Sequence, residues 1–360
     1  MAEKAEKTKR YLVTGGAGFI GSNFIAYMLS RRDRIEVVNL DALTYCGNLA
    51  NLRQVEDDER YTFSRGDIRD EGVLRELFRE HGFDYVVNFA AESHVDRSIT
   101  DPGAFVKTNV LGTSNLLAAA KESWDDGAGG FREGVRFLQV STDEVYGSLG
   151  ADGFFTEQTP LDPHSPYAAS KAAADLLAKA YFDTYGLPVN ITRCSNNYGR
   201  FQFPEKLIPL MINNCLAHKP LPVYGDGMQI RDWLYVDDHC KAIDMVLEAG
   251  KPGEVYNIGG HNERANIQIV KTVIGYIRER ADQQVDERLI KHVEDRKGHD
   301  RRYGIDPEKI RRDLGWRPQT PFEEGIKRTI DWYLSNRDWM RDIVSGDYER
   351  YYEEQYGGRL

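Results

Sequence analysis

Twelve residues near the start, YLVTGGAGFIGS (11–22), constrain this chain more than any other stretch. An aliphatic run ends in glycines spaced both as G-x-G-x-x-G (Gly16, Gly18, Gly21) and as G-x-x-G-x-x-G (Gly15, Gly18, Gly21), and an apolar helical pattern follows. Glycines so placed let backbone approach a pyrophosphate whose charge then sits at a helix N-terminus. A bare glycine pattern is weak, because a packing turn shows one too. Here it follows a strand, opens a helix, and is joined by Asp41, twenty residues past Gly21 at the end of EVVNLD. That is the context a dinucleotide site demands. A carboxylate there accepts hydrogen bonds from the adenosine ribose hydroxyls and repels a 2′-phosphate. Ala42 follows it rather than an arginine, so NAD is expected in preference to NADP.

The strand–helix rhythm continues through the first 150 residues: IEVVNLD, VLRELFREHG, DYVVNFAA, NVLGTSNLLAAAKESW and VRFLQVST alternate short strands with single helices. This predicts an α/β, Rossmann-like doubly wound parallel sheet. GDI (Asp67, Ile68) and FAAES (Phe89–Ser93) fall at later strand ends, where adenine and ribose contacts arise in such folds. DDGAGGFREG reads as a surface loop. After residue 200 the segments become shorter and richer in Pro, Trp and basic residues, which predicts a smaller α/β C-terminal substrate lobe. The expected division is 1–199 with a return near 235–262, where EVYNIGG (Glu254–Gly260) rejoins the first sheet, against 200–234 and 263–345. The acidic, tyrosine-rich tail 346–360 is read as a solvated helix end or a partner-contacting segment, and MAEKAEKTKR as a solvated lead-in with no signal-peptide character.

Composition excludes several classes. The chain of 360 residues carries a net charge of −10, which argues against nucleic acid, since nothing would replace the phosphate counterions. No window approaches the ~18–20 apolar residues of a membrane span. Four separated cysteines without a CxxC fit reduced thiols in a cytoplasmic protein, and eight histidines without HxxxH or HExxH spacing give no metal site.

Two patterns point to chemistry. In SPYAASKAAADLLAKAYFDTYG, Ser165 is a candidate N-cap and Pro166 a first-turn residue. Tyr167 and Lys171, four apart, share one helix face. An ammonium near a phenol is expected to lower the tyrosine pKa toward neutrality, so that it can take a hydroxyl proton as hydride leaves. Y-x-x-x-K alone is common; downstream of a dinucleotide fingerprint it gains weight. Alanines 168, 169, 172, 173 and 174 on this helix predict close helix packing, with a homodimer through a bundle including 167–185. The second pattern is VSTDEVYGS, which puts Asp143 beside Glu144 at a strand end. An Asp–Glu turn with solvated side chains is the plain alternative. In a regular strand the two would face opposite sides, so shared work requires a backbone turn, for which Gly147 is placed.

With the glycine fingerprint, Tyr-x-x-x-Lys and a C-terminal lobe, the chain resembles the extended short-chain dehydrogenase/reductase superfamily. Thr142–Asp143–Glu144 resembles the signature of its nucleotide-sugar 4,6-dehydratases, those acting on dTDP-glucose. AAESHVDRSI, NNYGRFQFPEKLIPL, VYGDGMQIRDWLYVDDHC, GGHNERANIQIV and DRKGHDRRYGID are similar to that family too, so the likeness runs from about Tyr11 to about Tyr333.

The resemblance implies tightly bound NAD, regenerated each turnover. Its cofactor contacts would be Gly15, Gly18, Phe19, Ile20, Gly21, Asp41, Leu43, Thr44, Asp67, Ile68, Phe89, Ala90, Ala91, Thr108 and Asn197, with Tyr167 and Lys171. Thr142, Asp143, Glu144, Tyr167 and Lys171 would be catalytic: Glu144 removing the carbon 5 proton, Asp143 protonating the departing 6-hydroxyl and Thr142 bonding near the 4-oxygen. Like-charge repulsion in a dry site would keep one acid neutral. A dTDP-sugar would be held by Ser93, Thr142, Asn196, Lys206, Leu207, Pro222, Tyr224, Arg231, Asn266, Arg296, His299 and Tyr303. His94 reads as a structural histidine. Ala42 and GRFQF (Arg200–Phe201) depart from the family's usual Lys and Pro-Tyr. Competing readings are a 4-epimerase, a dehydratase for another nucleotide, or a non-catalytic NAD sensor. The two acids argue against the first, and intact Tyr167, Lys171, Asp143 and Glu144 argue against the last.

Overall fold

The structure, a computed structural model, describes residues 7–344, 350 and 352–357. Its centre is a seven-stranded sheet of β1 (Lys9–Thr14), β2 (Ile35–Asp41), β3 (Tyr61–Arg65), β4 (Tyr85–Asn88), β5 (Arg136–Thr142), β6 (Val189–Cys194) and β10 (Val255–Ile258). The order is β10-β6-β5-β4-β1-β2-β3, and every pairing is parallel. Strands buried on both faces need apolar sequence throughout, and YLVT, IEVVNLD, YVVN and RFLQVST supply it.

Helices α1 (Phe19–Arg31) and α8 (Val236–Ala249) cover one face, closing a core around Phe24, Met28, Ile243 and Val246. Helices α2 (Glu71–His81), α5 (Thr113–Trp124) and α6 (Pro166–Tyr185) cover the other around Leu74, Leu116, Trp124 and Ala178. Short helices α3 (Val95–Thr100) and α4 (Pro102–Phe105) and a π-helical stretch, Val106–Gly112, lead into α5.

Strand order reverses between β1 and β4, so the loops leaving them part and open a crevice at the strands' carboxyl ends. Gly15, at φ +68°, lies where a Cβ would meet the Ala90 backbone nitrogen at 2.7 Å. The glycine is required both for its conformation and for its closeness.

The remaining elements build a second core. Strands β7 (Asn196–Tyr198), β9 (Ile230–Tyr235) and β11 (Glu263–Ala265) form one small sheet, and β8 (Leu221–Tyr224) with β12 (Ile290–Val293) another. Helices α7 (Leu207–Leu216), α9 (Asn266–Arg280) and α11 (Phe322–Ser335), with α12 (Arg337–Ile343), pack around Met211, Trp233, Ile269 and Ile330, while α10 (Glu308–Leu314) joins the first core. Phe201, one of the departures noted above, stands at φ +69° with its ring 4.8 Å from Trp332 and 6.0 Å from Trp339. Aromatic packing holds that backbone conformation.

The tail corrects its sequence reading where it is described. Tyr356 is 4 % exposed, packed in the second core, and Gln355 donates to the Tyr224 hydroxyl at 2.9 Å. Tyrosine rings bury large apolar area while their hydroxyls keep a partner, so charge density alone misjudged this segment. Residues 346–349, 351 and 358–360 lie outside the described residues.

Helix α6 forms as its ends predict. Ser165 Oγ accepts from the Ala168 nitrogen at 3.1 Å, Pro166 opens the helix, and Gly186 closes it at φ +74°. Its anchor to the sheet is ionic: Asp175 accepts from Arg193 of β6 at 2.9 Å, with both side chains at least nine-tenths buried. Removing one partner strands a buried charge, so Asp175→Ala should lower stability by about 3–5 kcal/mol in urea denaturation; a loss near zero would refute the anchor.

Candidate active site

The crevice is a cavity of about 350 Å³ running from the glycine turn to the carboxyl end of β5. At its cofactor end the wall includes Gly15, Gly18, Phe19, Ile20, Gly21, Asp41 and Thr44. Asp67, Ile68, Phe89, Ala90, Ala91, Thr108 and Asn197 continue it. A Cβ on Gly21 would lie 2.4 Å from the Gly15 carbonyl, so the turn cannot close around any larger residue. Asp41 is held with Oδ2 on the Ala17 nitrogen (2.9 Å) and Oδ1 on the Leu43 nitrogen (2.8 Å). Each oxygen keeps a lone pair for a further donor. Burial raises this carboxyl's pKa, against the two N–H groups that lower it. These features fit the adenosine end of a dinucleotide.

Leu43 differs from expectation. It stands at φ +52° with its side chain on the first core and is not in the cavity wall; its contribution is the backbone N–H that orients Asp41. Asn197 does line the cavity, but its side chain is engaged by the Ser195 carbonyl (3.0 Å) and His239 (2.9 Å), which fixes its pose.

At the reacting end β5 stops at Thr142 and the chain enters a 3-10 turn, Asp143–Tyr146, capped by Thr142 Oγ1 accepting from the Glu144 nitrogen at 3.2 Å. Gly147 ends the turn at φ +85°, where a Cβ would lie 2.4 Å from the Asp162 carbonyl. The turn does what a strand could not: Thr142, Asp143 and Glu144 all reach the cavity, together with Tyr167 and Lys171.

The two acids sit in different fields. Asp143 is 1 % exposed; burial, then Glu144 and Asp232, push its pKa well up, and its Oδ2 has no partner among the described residues. Burial also raises Glu144, but Arg231, Lys206 and Arg296 pull it back toward the ionised form. Asp143 is therefore the acid that keeps its proton, Glu144 the one that gives it up first.

Tyr167 corrects the expected pKa direction. Burial, then Glu144 and Cys194, raise it well above the phenol range, and a hydrogen bond from Thr142 is what opposes them. Lys171 donates to the Val140 carbonyl at 2.6 Å, and burial lowers its pKa. His94 is buried and held well below its usual pKa by burial and by Lys206, Arg296 and Arg97, in keeping with a structural role.

Of the expected substrate contacts, Ser93, Asn196 and Lys206 lie on the cavity wall, and Lys206 donates to the Ser93 carbonyl at 2.7 Å. Arg231, Arg296, His299, Tyr303 and Tyr224 lie outside that wall, in two contact groups. Arg231 sits 4.1 Å from the Tyr303 ring centre, Arg296 5.1 Å from that of Tyr224, and the Tyr224 and His299 rings are 6.0 Å apart. Arg231 and Arg296 both reach Glu144 electrostatically, which ties both groups to the cavity mouth. Leu207 and Asn266 begin helices α7 and α9, and Pro222 is buried in β8, opposite Lys291 of β12. Asn196 and Asn266 each bury a side-chain oxygen that has no partner among the described residues. Such orphans demand an explanation, and a ligand donor is one.

Sequence reasoning missed Asp96 and Glu205. Asp96 grips Arg296, 200 positions away, and the fully buried Glu205 takes Arg97 at 3.2 Å and the Tyr45 hydroxyl at 3.0 Å. Both lie inside stretches whose likeness was noted, but no spacing rule links residues so distant.

The family model for GDP-mannose 4,6 dehydratase matches residues 12–329. A dTDP-glucose 4,6-dehydratase of Xanthomonas campestris pv. campestris (strain B100) is 55 % identical over 341 residues, covering 94 % of this chain and 97 % of the relative. The dTDP-glucose 4,6-dehydratase 1 of Escherichia coli (strain K12) is 50 % identical over 360 residues, covering 97 % and 99 %. Among solved structures, DesIV, a dTDP-glucose 4,6-dehydratase from Streptomyces venezuelae with NAD and TYD bound, superposes with a TM-score of 0.86 at 49 % identity, covering 93 % of this chain and 99 % of that one. UDP-glucose 4-epimerase from Thermus thermophilus, in complex with NAD, shares the fold at 30 % identity and a TM-score of 0.80, covering 91 % and 99 %. Matched in this way over more than nine-tenths of its length, and carrying adjacent acids turned into the cavity beside Tyr167, the chain belongs to the dTDP-glucose 4,6-dehydratase family.

Proposed function

We propose that the protein is an NAD-dependent dTDP-glucose 4,6-dehydratase, forming dTDP-4-keto-6-deoxyglucose. The observation that carries this is Asp143 and Glu144 turned together into the cavity with Tyr167, in surroundings that separate their pKa values. NAD would be held by the glycine turn and Asp41, and when bound it would supply reversible hydride transfer and, in its oxidised form, a positive charge that favours phenolate. Tyr167 takes the 4-hydroxyl proton, with the Thr142 hydroxyl stabilising the oxygen on which charge develops. Once carbon 4 is a ketone, the carbon 5 hydrogen is acidic; Glu144 removes it and, after exchange with solvent, returns a proton to carbon 5 as carbon 6 is reduced. Asp143 donates its proton to the departing 6-hydroxyl. Lys206, Arg231 and Arg296 meet the diphosphate, arginine through its planar fork and lysine as a point charge. Tyr224, His299 and Tyr303 flank the nucleoside, and Asn196 and Asn266 offer it their unpartnered oxygens. A 4-epimerase needs no such acid–base pair, which disfavours that reading.

The cofactor unit in this reading is 1–199 with the return near 235–262, and 200–234 with 263–345 holds the sugar nucleotide. A separate second core supports two units, with β7 packing on the second core and α10 on the first. The protein works in the cytoplasm as a homodimer. Its cysteines are free, and among the described residues no helix is long and apolar enough to cross a membrane. Ala169, Ala173, Leu176 and Ala180 form an outward stripe on α6, Leu176 being 61 % exposed, with exposed Val106 and Leu111 on the neighbouring helix. An apolar stripe of small residues suits helix-on-helix association.

Four outcomes are expected. In heavy water, turnover of dTDP-glucose gives a 4-keto-6-deoxy product with deuterium at carbon 5; a product merely epimerised would overturn the assignment. Glu144→Gln stops elimination while the near-ultraviolet absorbance of reduced nicotinamide still appears, and unchanged turnover would remove Glu144 from its role. Gly21→Val should purify with little or no NAD, because its Cβ collides with the Gly15 carbonyl. For the assembly, Leu176→Glu should elute as a monomer in size exclusion where the parent elutes as a dimer; equal elution of both counts against the α6 interface.

A further inference from the structure

We propose that Asp96 is a positioning residue that presets the nucleotide clamp by holding Arg296 and Tyr224 in their substrate-binding poses across the two cores. The proposal rests on the reading that Arg296 and Tyr224 grip the substrate. Arg296 stands between β12 and α10 on a stretch with no helix or strand to fix it. Asp96, in the first turn of α3, supplies the constraint. Its Oδ1 accepts from Arg296 Nε at 2.6 Å and its Oδ2 from Nη2 at 2.8 Å. This two-point fork sets the plane of the guanidinium as well as its position. The Nη1 nitrogen has no partner among the described residues.

The same carboxylate orients Tyr224. The Tyr224 hydroxyl accepts from Gln355 at 2.9 Å and has two acceptors for its hydrogen, Asp96 Oδ2 at 3.1 Å and the Tyr356 hydroxyl at 3.4 Å, of which the carboxylate is the nearer and the charged one. The guanidinium then lies 5.1 Å from the Tyr224 ring centre, stacking the two clamp groups on each other. The other cations of the clamp are held by carbonyls: Lys206 by Ser93, Arg231 by Ile230 and Asp300. Arg296 is held by a charge. Burial disfavours the guanidinium charge, and Asp96 offsets that cost. His94, 3.9 Å from Asp96, is kept neutral by burial and its cationic neighbours and does not compete for the carboxylate. A side chain already fixed in its bound pose loses less freedom on binding, which appears as affinity.

The test uses the NAD-loaded enzyme, with dTDP as a competitive inhibitor and dTDP-glucose as substrate. Asp96→Asn should raise KM for dTDP-glucose and Ki for dTDP roughly tenfold or more, with kcat falling far less and NAD content as in the parent. Asp96→Glu should recover part of that affinity. Arg296→Ala should raise Ki similarly, and adding Asp96→Asn to it should cost little more, because both act through one guanidinium. An unchanged Ki in Asp96→Asn beside a raised Ki in Arg296→Ala overturns this proposal and leaves the clamp standing. An unchanged Ki in Arg296→Ala overturns the clamp and the proposal together. Should Asp96→Asn fail to accumulate as folded enzyme, Tyr224→Phe carries the test: it loses its bond to Asp96, and an unchanged Ki for dTDP counts against the proposal.

Discussion

The close approach of two backbones at the switch point of the sheet is the constraint on which the rest depends. Gly15 must pass against Ala90, and Gly21 against Gly15, with no room for a side chain at either place. That contact brings the helix N-terminus of α1 to the crevice and sets the floor on which a dinucleotide can lie. Asp41, oriented by two backbone N–H groups from the loops beside it, follows from the same packing.

Electrostatic design divides the labour at the far end. Burial alone would raise both acids alike. The cations of the second core lie nearer the influence of Glu144, while Asp143 faces Glu144 and Asp232. Neighbouring acids on one turn are thereby set in different fields. In a chain with net charge −10, the cations Lys206, Arg231 and Arg296 all act on Glu144, each restrained by a partner.

Much of this was legible beforehand for particular reasons. The strand runs are apolar because both faces of the sheet are covered, and Ser165, Pro166 and Gly186 mark the ends of α6 by local chemistry. The glycine turn with Asp41 and the Tyr167/Lys171 spacing are short-range patterns, readable without a fold. The tail was not legible: Tyr356 is buried by partners more than 130 positions away. The direction of the Tyr167 pKa was not legible either, since it depends on how deeply the ring is buried and on Glu144 from another element.

The sequence by itself determined the parallel sheet, the dinucleotide turn and, through the likeness of its motifs, the family. These are properties of neighbours along the chain, where spacing and side-chain chemistry decide the outcome. Only the tertiary structure decided that Asp143 and Glu144 share one cavity, that their pKa values part, and that Leu43 acts through its backbone. It also decided that Asp96 reaches Arg296, 200 positions away. Burial and the field at a site are sums over groups brought together from every part of the chain, so no local pattern contains them.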